Sequence, residues 1–586
     1  MRGAAALAAL GLTVALGCAS GTVAPAPSIE EKVGQLFVVE GPGVFLNEAS
    51  PGFRKLRHQV VDNHVGGVIW FRTHVYEAAV LAASLQKLAK TPLLFSSDLE
   101  AGTGMRFEDV TWGAPVMAIA ATGDVTLAER RGRATAREAR ALGIAHVYAP
   151  VADVNVNPAN PVINTRSFGE DAESVGRFAS AFTTGLQAGG VLATLKHFPG
   201  HGDTAIDSHR ALPVLDVDRA RLDRVELVPF RMALAAGARS VMVAHLSVPA
   251  LDDTPAPVRV DAEKSLAYGA KAVELEQRGT LPATLSPKIV DGLLRKELGF
   301  GGIVVTDSMT MGGVVSHFTP GEAAIRAILA GNDLVLHSPD PDAAIAAVVA
   351  AVRSGRIPEA RLDASYRRIV DEKRRLGLFE TRTPPLDDIA RVVGGAESAA
   401  VEEEIARRSL TLLREEPGVL PLRDDATLFH LVVSDDSVPG TTATVSAALA
   451  KRKGTRTVLL DPRSCEADVA SVLEAAKAAD VVVVSLFVRV RSGAGKIAVP
   501  ETARAAVEAL ATLGKPVVGV SFGSPYLLAT FPWLKTYLCA YGIVDGLQVA
   551  VPRALSGEAA IEGRLPVTIP GLARRGDGIA KARSRP

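Results

Sequence analysis

Several familiar signals are missing from this chain, and each absence removes a class of function. Cysteine is scarce: of three in 586 residues, Cys18 lies in the N-terminal segment, and only Cys465 and Cys539 remain for the folded body. Two thiols imply no disulfide framework. Surplus charge is missing too. Lys plus Arg number 64 and Asp plus Glu number 64, so no basic excess is present to hold nucleic acid or another polyanion. There is no internal repeat and no low-complexity tract. A glycine-rich phosphate fingerprint is also absent from the C-terminal half. Its nearest candidate, Phe522-Gly523-Ser524-Pro525, has one glycine and reads as a plain turn. No cofactor is therefore expected. What remains is an ordinary globular composition with ample apolar residues. The chain is long enough for more than one domain, since single cores rarely grow past ~300 residues.

The two ends read as appendages. Met1-Arg2 is a short positive region, and the apolar stretch from Ala4 to Leu16 is too short to span a bilayer. It runs into Ala15-Leu16-Gly17-Cys18-Ala19-Ser20, which resembles a bacterial lipobox. Residues 1–27 are therefore expected to be a lipoprotein signal peptide and tether. Cys18 would be the lipidated residue, and export to the cell envelope follows, with the membrane reached through that anchor. At the other end, residues 573–586 carry Arg574, Arg575, Lys581, Arg583 and Arg585 and read as a frayed basic tail.

Between these ends, eight short apolar segments alternate with helix-like stretches. They are Gln35–Val39, Gly67–Phe71, Leu93–Ser97, His146–Val151, Leu192–Lys196, Ser240–His245, Ile303–Thr306 and Asp333–His337. That alternation predicts an α/β fold, a (β/α)₈ TIM-like barrel over residues 28–380. An insertion at 253–281 reads equally well as a lid or as a surface elaboration. Residues 381–400 read as a linker. Strands are expected again at Leu428–Ser434, Thr457–Leu460, Val481–Phe487, Pro516–Ser521 and Lys535–Ala540, so residues 401–572 read as a smaller doubly wound αβα sandwich.

One stretch concentrates the chemistry. Three of the eleven histidines fall within thirteen positions, in Lys196-His-Phe-Pro-Gly-His-Gly-Asp-Thr204 and Asp207-Ser-His209. The stretch begins where a predicted barrel strand ends, which is where such barrels hold their active sites. His197 and His201 have the i, i+4 spacing of helical zinc ligands, but Pro199-Gly200 between them disfavours a helix. No metal site is expected, and His201 reads as a loop-holding residue. Asp153, His245 and His337 also fall at strand ends and read equally as pocket lining or as packing.

These motifs together resemble glycoside hydrolase family 3, in its bacterial β-N-acetylglucosaminidase subgroup. Besides the histidine-rich run, the resemblance rests on Asp98-Leu-Glu-Ala-Gly102 with Arg106-Phe107, and on Asn164-Thr-Arg-Ser-Phe-Gly169. It also rests on Pro282-Ala-Thr-Leu-Ser286, Leu298-Gly-Phe-Gly-Gly302 and Val304-Val-Thr-Asp-Ser-Met309. Thr103 stands where the family usually has arginine. The resemblance implies a retaining, exo-acting enzyme on carbohydrate, with Asp307 as nucleophile and His209 backed by Asp207 as general acid/base. It further implies Asp98, Arg106, Arg166, Lys196 and His197 as sugar-binding residues. Chemically, retention needs a carboxylate nucleophile and a second group that first gives and then takes a proton. An imidazole oriented by a carboxylate meets the second need. Peptidoglycan fragments or chitooligosaccharides are the implied substrates. A different family 3 glycosidase, a phosphorylase, and a non-catalytic sugar-binding lipoprotein of the envelope are the alternatives. The sequence gives no oligomeric state.

Overall fold

The computed structural model describes residues 26–110, 112–257, 279–438, 440–490, 493–494 and 496–585. Cys18 and the central part of the 253–281 insertion lie outside these residues. The ends of the insertion are joined by an antiparallel bridge between Pro255 and Thr280.

Eight parallel strands form the first sheet. They are β1 (Phe37–Gly41), β2 (Gly67–Trp70), β3 (Leu94–Ser97), β4 (His146–Val147), β5 (Leu192–Phe198), β6 (Ser240–Val243), β7 (Ile303–Thr306) and β8 (Val335–Leu336). Pairing runs β7-β6-β5-β4-β3-β2-β1-β8. The circle closes where Thr306 N–H donates to Leu334 O at 3.0 Å and Leu334 N–H donates to Val304 O at 3.0 Å. The strands are almost wholly buried on both faces, as parallel strands covered by helices must be. The connecting helices begin where the sequence supplies caps. Ser28 and Glu31 form a capping box on Ile29–Gly34. Thr319 caps Pro320–Ala330, which has proline in its first turn and stops at Gly331 with φ +123°.

The second sheet contains β9 (Thr411–Arg414), β10 (Leu428–Ser434), β11 (Arg456–Leu460), β12 (Val481–Phe487), β13 (Val517–Ser521) and β14 (Thr536–Cys539). Its order is β11-β10-β12-β13-β14-β9, parallel except for β9, which runs antiparallel to β14. The strand order reverses direction at β10, so right-handed crossovers place helices on both faces. The helices Ala443–Ala450 and Asp545–Leu555 pack together, as do Glu466–Lys477 and Glu501–Leu510.

Two expectations about the ends of this domain need correction. The 381–400 stretch joins the two sheets but contains the helix Asp387–Val392. Arg382 pins it to the barrel by donating to Ala89 O at 2.7 Å. The basic segment 573–585 is not frayed. Lys581 pairs in an antiparallel bridge with Ile561, its ammonium donates to Leu420 O at 3.0 Å, and Arg575 pairs with Asp171 of the barrel at 3.3 Å. Composition suggested a solvated tail, but backbone pairing and carbonyl acceptors hold it down.

The two sheets are docked through polar contacts. Arg131, buried in the barrel helix Val125–Ala141, pairs with Glu402 of Ala396–Ser409, and the same carboxylate accepts from Ala114 N–H at 3.0 Å. Asn155 donates to Tyr526 Oη at 2.9 Å.

Candidate active site

The carboxyl ends of the barrel strands open into a cavity of about 530 Å³. Of the residues singled out from the sequence, Asp98, Arg106, Arg166, Lys196, His197, His209 and Asp307 all line it. Asp207 is buried directly behind His209. So the structure gathers into one place residues that are more than two hundred positions apart in sequence.

Each side chain is aimed by its strand. Asp307 follows the apolar strand β7, and its own N–H stays in the ladder, donating to Val243 O at 3.0 Å. Burial pushes its carboxyl upward, but His197, His245, His209 and the Ser308 N–H outweigh this and hold it below the ordinary carboxylate value. It is therefore ionised at neutral pH. Strand β5 runs on through His197 and Phe198, two residues further than expected. Asp153 explains the His197 geometry: its carboxylate meets His197 Nδ1 at 2.7 Å and accepts from His197 N–H at 3.1 Å and His201 N–H at 2.7 Å.

The loop after β5 is held by contacts that need its unusual composition. Gly200 has φ +137°, and a Cβ there would meet Glu226 at 2.8 Å. His201 contacts Thr204 Oγ1 at 2.8 Å and Ser208 Oγ at 3.0 Å, and its carbonyl accepts from Asn160 at 2.8 Å. Burial, followed by His197, drops its imidazole to about 4, so it stays neutral. His201 is the loop-holding residue that its setting between Pro199-Gly200 and Asp207 suggested. Among the described residues, no cluster of three or more His, Cys, Asp or Glu is arranged to hold a metal.

At the loop's end, Asp207 Oδ1 lies 2.8 Å from His209 Nδ1 and accepts from the His209 N–H at 2.9 Å. Asp207 Oδ2 accepts from Gly493 N–H of the second domain at 2.8 Å. Burial raises the Asp207 carboxyl, but His209 and these N–H donors leave it below its usual value. An ionised Asp207 favours the imidazole tautomer that carries its proton on Nδ1.

The opposite wall is a charge network. Asp98 accepts from Lys196 at 2.7 Å and Arg106 at 2.9 Å. Glu100 takes Arg166 through two bonds, at 2.7 and 2.9 Å, and Lys196 at 2.6 Å. Burial opposes ionisation of Glu100, but these cations hold it well below the usual range. Convergent charged donors and acceptors of this kind recognise hydroxyl and carbonyl groups. Thr103 turns away from this wall, its hydroxyl bonded to Glu138.

Sequence reasoning passed over several lining residues. Glu100 stood within a quoted motif, two residues past Asp98 in the loop after β3, and that proximity was the available signal. Glu40, at the end of β1, and Trp112 carried none. Neither did the second domain's contribution, which comes from the ends of β12 (Arg489, Val490), β13 (Gly523) and β14 (Tyr541 to Val544). Of the three undecided residues, Asp153 and His245 are fully buried supports, whereas His337 faces the cavity.

Comparison with known proteins agrees with this geometry. The glycosyl hydrolase family 3 N-terminal domain matches residues 28–371, and the family's C-terminal domain matches residues 382–581. A β-N-acetylglucosaminidase/β-glucosidase of Cellulomonas fimi is 32% identical over 549 residues, covering 92% of this chain and 93% of its own length. The structure of a family 3 β-N-acetylglucosaminidase from Paenibacillus sp. str. FPU-7 superposes with a TM-score of 0.79 at 33% identity, covering 93% of this chain and 99% of that one. A β-glucoside phosphorylase superposes with a TM-score of 0.79 at 26% identity, over 93% of this chain and 95% of that one.

Proposed function

This chain belongs to glycoside hydrolase family 3, and from that premise we propose that it is an exo-acting β-N-acetylglucosaminidase. It releases terminal non-reducing N-acetylglucosamine with retention, from peptidoglycan fragments or chitooligosaccharides. One observation carries the reading: a buried, ionised Asp307 and a histidine backed by a carboxylate share one cavity with a hydroxyl-binding charge network.

In this reading the Asp307 carboxylate attacks the anomeric carbon. His209 Nε2–H gives its proton to the departing oxygen as the glycosidic bond breaks, leaving a glycosyl ester on Asp307. His209 then takes a proton from water, which attacks the same carbon and frees Asp307. Asp207 stabilises the imidazolium that gives the first proton and is restored by the second transfer. Asp98, Arg106, Arg166, Lys196 and His197 orient the reacting sugar's hydroxyl and acetamido groups.

One feature favours a second reading. A histidine base carries no negative charge, so an anionic acceptor is not repelled, and phosphate then replaces water. The test is release of p-nitrophenol from the β-N-acetylglucosaminide and the β-glucoside, with and without phosphate. Preferential release from the acetamido sugar, independent of phosphate, supports the hydrolase. A sugar 1-phosphate product moves the assignment to the phosphorylase. Preference for the glucoside contradicts the assigned sugar. Attachment to the membrane through Cys18 is part of the same proposal, supported by the lipobox-like run. Incorporation of labelled palmitate by the full chain, lost in Cys18→Ala, is its expected signature.

A further inference from the structure

We propose that Ser308 is the positioning residue for Asp307, clamped in place by His337 and His245 from the neighbouring strand ends. The inference rests on the reading of Asp307 as nucleophile.

Ser308 is held through two of its groups, and a third meets Asp307. Its hydroxyl contacts Thr310 Oγ1 at 2.9 Å and His337 Nδ1 at 2.9 Å. Its carbonyl accepts from His245 Nε2 at 2.9 Å, and the far side of that ring rests on Thr284 Oγ1 at 2.9 Å. Its N–H donates to Asp307 Oδ1 at 2.7 Å. His337 is itself anchored, with Nε2 3.2 Å from Glu40 Oε2. Thus β1, β6 and β8 all bear on the residue that fixes one oxygen of the carboxylate. His337 also sits at φ +51°, a left-handed conformation costly for a residue with a Cβ. That conformation brings the ring to Ser308. A carboxylate that attacks carbon needs one oxygen held and the other aimed, and small misplacements of reacting groups cost about a hundredfold in rate.

The test is the rate of covalent labelling by a 5-fluoro N-acetylglucosaminyl fluoride, followed beside the inhibition constant of N-acetylglucosamine. His337→Ala and Ser308→Ala are each expected to slow labelling by roughly 10- to 100-fold, with the inhibition constant changed by less than about twofold. His337→Asn, which tolerates the left-handed backbone and offers an amide to Ser308, is expected to recover most of the rate. Labelling at the wild-type rate in folded Ser308→Ala overturns the proposal. So does an inhibition constant that rises in step with the loss of rate, since that marks a collapsed sugar site. If the wild-type label falls elsewhere than Asp307, the underlying assignment fails before any variant is compared.

Discussion

The two sheets of this protein turn their carboxyl ends toward the same cavity, yet they bring very different chemistry to it. From the barrel come Asp98, Lys196, His197, His209 and Asp307, whose charges and hydrogen bonds hold the Asp98 and Asp307 carboxyls below their ordinary values. From the second sheet come a backbone N–H at Gly493, an apolar wall at Ile543 and Val544, and Arg489, whose guanidinium is already paired with Asp436 at 2.7 Å. Both are α/β sheets obeying the same rule about where ligands bind. Only the closed barrel surrounds its strand ends with other strand ends, so that buried charges find partners. The lesson is a division of labour: in the proposed function the barrel supplies the reacting groups, and the second domain adds part of the cavity wall and a backbone N–H to Asp207.

Breaking the barrel's side of this comparison has the largest expected effects. Asp307→Ala removes the proposed nucleophile and is expected to lower kcat for p-nitrophenyl β-N-acetylglucosaminide by about 10⁴-fold, with the fold intact by circular dichroism. His209→Ala or Asp207→Ala is expected to cost about 10²- to 10⁴-fold. The loss should be greater for a chitobiose-like leaving group, which needs protonation, than for p-nitrophenolate, which does not.

Next in size is a stability effect. Glu100→Gln removes a buried carboxylate that partners Arg166 and Lys196, leaving Arg166 without its carboxylate and Lys196 with Asp98 alone. A loss on the order of 3–5 kcal/mol is expected in denaturant unfolding. The barrel also has a pH signature. Burial holds His146 at about 3, and His201 is held at about 4, so the folded protein does not protonate them where the unfolded chain does, below about 6.5. The unfolded state then binds more protons, and stability falls as pH drops from 6.5 toward 4. A melting temperature that declines over that interval checks the sign.

On the other side of the comparison, Arg489→Ala is expected to change kcat/KM by only a few fold, on the order of 1 kcal/mol. That change should appear with long natural leaving groups and vanish with p-nitrophenol.

Much of this division was legible in the sequence. Strands β7, β10 and β12 begin and end where the apolar runs do, because each run is bounded by loop residues. Strand β4 is shorter than its apolar run, since Pro150 has no N–H to continue the ladder. Strand β9 was not anticipated. Its four residues directly follow a helix, and only antiparallel pairing with β14, more than a hundred positions away, makes it a strand. The site shows the same pattern. Residues inside compact motifs, such as Lys196, His197, Asp207 and His209, were singled out because those motifs carry the family resemblance. Glu40, Arg489 and Gly493 enter through tertiary contacts that leave no local mark.

The central claim is that the barrel's Asp307 forms a covalent glycosyl intermediate. The most direct measurement is peptide mass mapping after labelling with the 5-fluoro N-acetylglucosaminyl fluoride. The account predicts one sugar per chain, carried on Asp307 and absent from Asp307→Ala. A label on another carboxylate, or a first-formed product of inverted configuration, would contradict it.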